Sequence, residues 1–382
     1  MTSFDADAVI VGAGPAGAAV AIGLAEQGRR VLVVESRRFP RSKVCGEFIS
    51  PAVGDLLESL VGNEGLDGAR AVPITRMHLA CDGLERRWAL SARAWAMGRD
   101  DLDADMADLA RRRGALVLQP ATVRKVAYRE DGISALLADG AELRSKVIVH
   151  ADGTGRHDPA GPVARARGLV GIKCHARDVA PSGVVAMRAL RGAYVGTISL
   201  GEGTGAARGT LAACVKNDLI RRWRGDHDAM LGALWPGFDP RCRIGPWLSC
   251  PIARSGAIEP GHPRSFRVGN AGGAVDPVGG EGIGLALWSG DRLAGMLERC
   301  DLDRIGDLGV AQAEFLRATK AKLRLRRFAC RAAAEVLMRP SLVRAMWPAL
   351  GMGGLTIEPW YRLSGKPGCL SRVRARGDSL PA

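Results

Sequence analysis

The sequence predicts an α/β fold in which a Rossmann-type parallel sheet carries an inserted antiparallel β-sheet and is completed by C-terminal helices. Three observations predict it. An apolar run enters a Gly-x-Gly-x-x-Gly near the N-terminus, a second glycine-rich loop leads into a helix near residue 280, and several short apolar runs separate the two. At 382 residues, 47% hydrophobic and 25% charged, the chain is long and apolar enough to bury a core and is not disordered.

Ala8-Val9-Ile10-Val11 is continuous and apolar, as a strand covered on both faces must be. It runs into Gly12-Ala13-Gly14-Pro15-Ala16-Gly17, and an Ala-rich helix follows from Ala18 to about Gln27, stopped by Gly28. A second strand, Arg30 to Val34, ends at Glu35. In this context Gly12 permits a tight turn, Gly14 lets the backbone approach a pyrophosphate, and Gly17 lets the helix lie close to the strand. Amides at the helix start face phosphate oxygens, aided by the helix dipole. Glu35 can accept hydrogen bonds from ribose hydroxyls, and its charge disfavours a cofactor with a phosphate on that ribose. Gly12, Gly14, Pro15, Ala16, Gly17, Glu35, Ser36 and Arg37 are therefore candidate cofactor-binding residues. The fingerprint alone does not separate FAD from NAD.

Later segments do. Val147-Ile148-Val149-His150-Ala151-Asp152-Gly153 is another apolar strand ending in Asp-Gly. Residues 266–286 read as a strand, a polar turn, a Gly-rich loop and a helix from Gly284 to about Leu297. Arg99-Asp100-Asp101-Leu102-Asp103 opens a helix before Gly114-Ala115-Leu116-Val117, and Arg41-Ser42-Lys43-Val44-Cys45-Gly46-Glu47 follows the second strand. In this order, over roughly residues 5–300, the segments resemble the flavoprotein superfamily of para-hydroxybenzoate hydroxylase and geranylgeranyl reductase.

The resemblance implies an FAD/NAD(P)-binding domain with a substrate domain roofing the flavin. It implies that Asp152 lies along the FAD pyrophosphate, that Arg99 reaches the pyrophosphate, and that Val123 falls beside the adenine. Asn270 would take the ribityl contact, where family members commonly carry Asp, and the loop with Asp276, Gly280, Gly282 and Ile283 would lie against the flavin ring. Cys45-Gly46 matches a Cys-Gly of the reductases close to the flavin. That makes Cys45 a candidate catalytic residue as well as a cofactor contact; a packing cysteine is the alternative.

The segments imply a discontinuous FAD-binding domain of residues 1–72, 95–160 and 263–300. A substrate domain takes 73–94 and 161–262, and a helical region takes 301–382. Strands are expected at Ile74–Ala80 and Arg87–Leu90, around a Cys81-Asp82-Gly83 turn, and in an antiparallel sheet from Leu169–Ile172, Gly183–Ala189, Ala193–Leu200 and Gly209–Val215. Asn217 to Leu234 reads as helix, and residues 368–382 as a fraying Arg-rich tail.

Nine cysteines lack any Cys-x-x-Cys pair, which reads as reduced thiols without zinc. Six histidines have no metal-ligand spacing, so no metal is expected. Trp88, Trp95, Trp235, Trp247 and Trp288 read as core or as the lining of an aromatic or lipid pocket. The net charge of +14 favours acidic partners, but no nucleic-acid motif accompanies it, so nucleic acid is not an expected partner. From Val310 to Met338 the pattern is a basic amphipathic helix, suited to packing on the first domain or to an anionic membrane or acidic protein. No apolar run reaches the roughly 20 residues of a membrane span, and the expected location is cytoplasmic, with peripheral membrane contact as the variant.

The expected activity is an FAD-dependent oxidoreductase. A monooxygenase using NAD(P)H and O2 on an aromatic or lipid-like small molecule ranks first. A geranylgeranyl-reductase-like enzyme saturating C=C bonds is the alternative. A halogenase, whose Trp-x-Trp-x-Ile-Pro segment is absent, and a protein-maturation flavoprotein rank lower. No second dinucleotide fingerprint is present, so NAD(P)H would bind transiently.

Overall fold

The computed structural model describes residues 4–61, 70–153, 168–202, 207–252 and 260–350. Two sheets organise them. The first has the order β6-β2-β1-β9-β8-β7, with β15 also pairing β9. Its parallel part comprises β1 (Ala6–Val11), β2 (Val31–Val34), β6 (Leu116–Leu118), β9 (Glu142–His150) and β15 (Ser265–Arg267). These strands are short and apolar because helices cover them: α1 (Pro15–Glu26), α3 (Arg99–Arg112) and α6 (Gly282–Leu297) share one core with them. An antiparallel meander, β7 (Val123–Tyr128) and β8 (Ile133–Leu137) leading into β9, covers the other face. The sequence reading did not foresee it.

The second sheet has the order β14-β10-β13-β12-β11-β4-β5-β3. It is built from β3 (Phe48–Ile49), β4 (Val72–Cys81), β5 (Leu84–Ala96), β10 (Leu169–Arg177), β11 (Val184–Leu190), β12 (Ala193–Glu202), β13 (Ala207–Lys216) and β14 (Arg243–Pro251). Asp82 and Gly83, both at positive φ, turn β4 into β5 as a two-residue hairpin does. All neighbours are antiparallel except β11 and β4, where two hairpins from distant parts of the chain meet side by side. Phe48–Ile49 and the end of β5 belong to this sheet, although boundaries at 72 and 95 would put them in the first.

Helix α2 (Gly54–Val61) follows β3. The helix expected over 217–234 is two helices, α4 (Asn217–Arg222) and α5 (His227–Leu234). Arg224 and Gly225 stand at positive φ between them, and Asp226 caps the second through Ala229 N, so the backbone reverses where composition alone read continuity. Helix α7 (Ile305–Leu337) is longer than expected, and α8 (Pro340–Leu350) follows it. Among the described residues no helix is long and apolar enough to cross a membrane. The Thr154-Gly155-Arg156 segment, the 161–167 stretch and the 368–382 tail lie outside the described residues.

Candidate functional site: a cationic cleft joined to an apolar cavity

Strands β1 and β9 end side by side, and the chain turns at Gly12 and at Ala151–Gly153. A cleft enclosing about 980 Å³ opens at this edge of the sheet, the place where parallel α/β sheets bind ligands. Gly14, Pro15 and Ala16 at the start of α1 line it. So do Gly280, Gly282 and Ile283 at the start of α6, so the two glycine-rich junctions converge on one space. The convergence comes from packing. A Cβ on Gly290 of α6 would stand 2.4 Å from the Ala16 carbonyl oxygen, so the two helices touch backbone to backbone and both N-termini face the cleft. Gly17 allows α1 to sit against its own turn, since a Cβ there would fall 1.9 Å from Gly12 O. At Gly14 an added Cβ would meet only the Arg99 guanidinium, at 3.7 Å.

Positive charge gathers here. Arg99 is buried and donates to Asp103 Oδ1 at 2.7 Å and Oδ2 at 2.8 Å. Burial opposes its charge, but Asp103 more than offsets this and the Arg99 pKa rises. Arg41 bridges Asp103 and Glu35, at 3.2 Å to each. Lys43 opens onto the cleft yet is hemmed in by protein, and this crowding, then Arg99 and Arg41, pushes its pKa below the ordinary 10.5. Helix α1 has no side-chain cap, so its free amides add to the same field. Asp152, between the cleft-lining Ala151 and Gly153, has both carboxylate oxygens buried and without a partner among the described residues. Two uncapped glycine-rich helix starts, a crowded ammonium and an orphaned carboxylate fit a dinucleotide, which brings a pyrophosphate and ribose hydroxyls.

Several candidate residues serve the scaffold. Glu35 Oε2 accepts from Ala13 N at 3.0 Å, and Oε1 accepts from Arg37 N at 3.0 Å and from Ser36 Oγ at 3.3 Å. Burial raises its pKa; Arg41 and these amides lower it further, and the net shift is downward. It thus fixes the Gly12–Gly14 turn while its charge stays at the edge of the site. The Val123 side chain is 2% exposed in the core under the meander and does not line the cleft. The Asp276 carboxylate accepts from Tyr194 Oη at 2.9 Å and Val278 N at 3.3 Å, so it braces its own loop against β12. Asn270 is exposed and lines the cleft.

A second cavity, a space of about 1290 Å³ that includes its open mouth, continues from the cleft under the second sheet. Val44, Cys45, Gly46, Phe48, Asn270, Val275, Pro277 and Gly280 line both spaces. Its further walls are Met77, Leu90, Ile172, Val185, Met187 and Ile198, and among the described residues no Asp, Glu, Lys, Arg or His lines it. None of the five tryptophans singled out in the sequence lines it either. Trp95 lies in the core and the other four pack against core clusters. Of the eight described cysteines, none of them in a disulfide, four are buried; Cys369 is outside the described residues.

Sequence reasoning missed the residue that holds the junction together. Glu47, at φ +56 and fully buried, accepts from Arg99 N at 2.7 Å, from Lys173 Nζ at 2.5 Å and from Thr210 Oγ1, and stands 3.2 Å from His175 Nε2. Burial raises its pKa, but His175 and Lys173 win and hold it at about 2. Its partners sit on α3, β10 and β13, so Glu47 clamps the Cys45-Gly46 loop between both sheets. The one available signal was a charged residue directly after Cys-Gly. Glu47, Asp100 and His175 also approach one another as metal ligands could. Lys173 and Arg208, the latter 2.5 Å from Asp100, already supply the positive charge there.

Residues 5–188 match the family model described as "FAD binding domain". The menaquinone reductase of Mycobacterium tuberculosis (strain ATCC 25618 / H37Rv) is 36% identical over 156 residues, 39% of this chain and 38% of that protein. The chain therefore spans well under half the length of that relative. Among solved structures, a geranylgeranyl bacteriochlorophyll reductase-like protein of Thermoplasma acidophilum superposes with a TM-score of 0.73 at 17% identity, covering 97% of this chain and 94% of that one. PqsL of Pseudomonas aeruginosa, described as a probable FAD-dependent monooxygenase, gives 0.70 at 20% identity, covering 90% and 99%. Residues 5–188 thus match an FAD-binding domain, and the fold of the chain is shared with these flavoproteins.

Proposed function

We propose that this flavoprotein is a reductase that adds hydrogen across a double bond of an uncharged, lipid-like substrate. The observation that carries this is the cavity wall, which has room for a large apolar molecule and, among the described residues, no charged side chain to meet an ionised one. Burying an unpaired carboxylate or phenolate there would cost several kcal/mol, roughly, whereas alkyl groups gain from leaving water. The ranking therefore moves from the monooxygenase expected first to the reductase expected second. The relatives named menaquinone reductase point the same way.

In this reading Gly12–Gly17, Arg99 and Lys43 hold the FAD pyrophosphate, Glu35 supports the ribose end, and Asn270 with Gly280, Gly282 and Ile283 face the flavin. FAD supplies hydride chemistry when bound, with NAD(P)H as the proposed electron source. The chain's own task is to press an apolar substrate against the cleft, exclude water and deliver one proton. Cys45 is placed for that last step. It lines both spaces, and its Sγ accepts from Glu47 N at 3.4 Å. The remaining cavity hydroxyl of note, Tyr194, is already donating to Asp276.

The test is anaerobic mixing of the reduced holoprotein with menaquinone or a polyisoprenoid alcohol, followed by mass spectrometry. A product richer by two hydrogens per turnover, retained after air reoxidises any quinol, supports the reductase. In a parallel aerobic reaction, oxygen uptake with a product richer by one oxygen atom assigns the monooxygenase instead.

A further inference from the structure

Helix α7 carries two different faces over the same turns. Its inner face backs the loop that lines the apolar cavity. Arg327 Nε donates to Ala274 O at 3.2 Å, Leu323 packs with Val275, and Cys330 packs with Val278. A Cβ on Gly279 would stand 2.6 Å from Cys330 Sγ.

The outer face is a different surface. Between 317 and 332 the exposed residues are Arg317, Lys320, Ala321, Arg324, Leu325, Phe328, Arg331 and Ala332. At 3.6 residues per turn they fall within an arc of about 140°. Leu325 is 53% exposed and Phe328 73%, a pair of large apolar side chains set among four cations. None of those four cations pairs with a carboxylate among the described residues, and no acid interrupts the stretch. The flanking Glu314 and Glu335 are taken by Arg292 and Arg339.

We propose that this face of α7 docks on an anionic lipid bilayer, with Phe328 and Leu325 entering the interface and Arg317, Lys320, Arg324 and Arg331 on the headgroups. An apolar pair ringed by cations is the pattern of an interfacial helix. Charge argues against the other occupants. A second copy would oppose cation to cation, and residues 351–382 carry five Lys or Arg against two acids, so the chain's own tail is repelled from it. Docking here would bring the cavity-backing helix onto the membrane that stores apolar molecules.

The test is co-sedimentation of the FAD-loaded protein with phosphatidylcholine vesicles containing or lacking phosphatidylglycerol. Binding is expected only with the anionic lipid and weakens as salt is raised. Arg324→Glu/Arg331→Glu should weaken it by well over an order of magnitude, given about fivefold for each cation removed. Phe328→Ser should weaken it about tenfold or more, at unchanged flavin content. Arg124→Glu/Lys125→Glu, the same charge change at exposed positions of β7, should have little effect. The proposal falls if anionic vesicles are not bound, if the β7 variant loses as much as the α7 variant, or if Phe328→Ser binds like the native protein. Failure of vesicle binding alongside a new dimer, or alongside capture by an acidic protein, gives the face to that partner.

Discussion

Glu47 Oε1 lies 2.5 Å from Lys173 Nζ, with both side chains fully buried. The pair joins the loop that separates cleft from cavity to a central strand of the second sheet. Removing Glu47 leaves the buried Lys173 ammonium without its carboxylate.

Glu47→Ala should therefore destabilise the protein by about 3–5 kcal/mol, measured by denaturant unfolding. Glu47→Gln tests the charge itself. The carboxyl is held at about 2 against an ordinary 4.5. Its contribution is complete above pH 4.5 and is lost as pH falls toward 2. Native protein should lose about 3 kcal/mol more than Glu47→Gln across that window. Parallel acid-unfolding curves would contradict this.

Gly14 and Gly17 should separate ligand approach from packing. At Gly14 a methyl group meets no backbone, so Gly14→Ala should unfold like the native apoprotein but bind FAD at least about tenfold more weakly. Gly17→Ala collides with Gly12 O and should lose stability in the apoprotein as well. Flavin fluorescence titration together with thermal melts distinguishes the two.

Lys43 predicts a pH dependence of cofactor binding. Its pKa is already lowered in the free protein by crowding and by Arg99 and Arg41. An anion in the cleft favours the charged form, so FAD affinity should be highest below that lowered pKa and fall as pH rises through it. Lys43→Met should bind more weakly and lose this pH dependence. Titration calorimetry in buffers of different ionisation enthalpy should show proton uptake on binding by the native protein, and less by the variant.

Cys45→Ala should keep its flavin spectrum and slow reduction of the apolar substrate by about 10²-fold or more, the usual size of a lost proton donor. Stopped-flow single turnover measures it. An unchanged rate would return Cys45 to a packing role.

Arg264 is buried without a carboxylate. Its guanidinium donates to the carbonyls of Lys146, Leu302, Glu130 and Asp303 at 2.9–3.3 Å. Arg264→Leu orphans those oxygens where water does not reach and should cost about 3 kcal/mol or more in denaturant unfolding. Equal stability would show that the segments relax around the gap.

The parallel sheet, the dinucleotide turn and the two glycine-rich helix starts were legible because each is local. An apolar strand, a glycine where a Cβ cannot fit and a helix immediately after are contiguous in the chain. The length of α7 was underestimated, and the α4–α5 break missed, because a positive φ at Arg224 leaves no mark in composition.

What the sequence by itself determined is the αβ frame and that its ligand is a dinucleotide, since backbone amides and small residues at fixed spacing suffice for both. Only the tertiary structure decided that Glu47 is the clamp, that Val123 and Asp276 serve packing and bracing, and that the described residues of the cavity wall carry no charge. Those properties belong to side chains brought together from strands more than a hundred residues apart. Whether a carboxylate is paired or a cavity is neutral depends on neighbours in space, which no local pattern records.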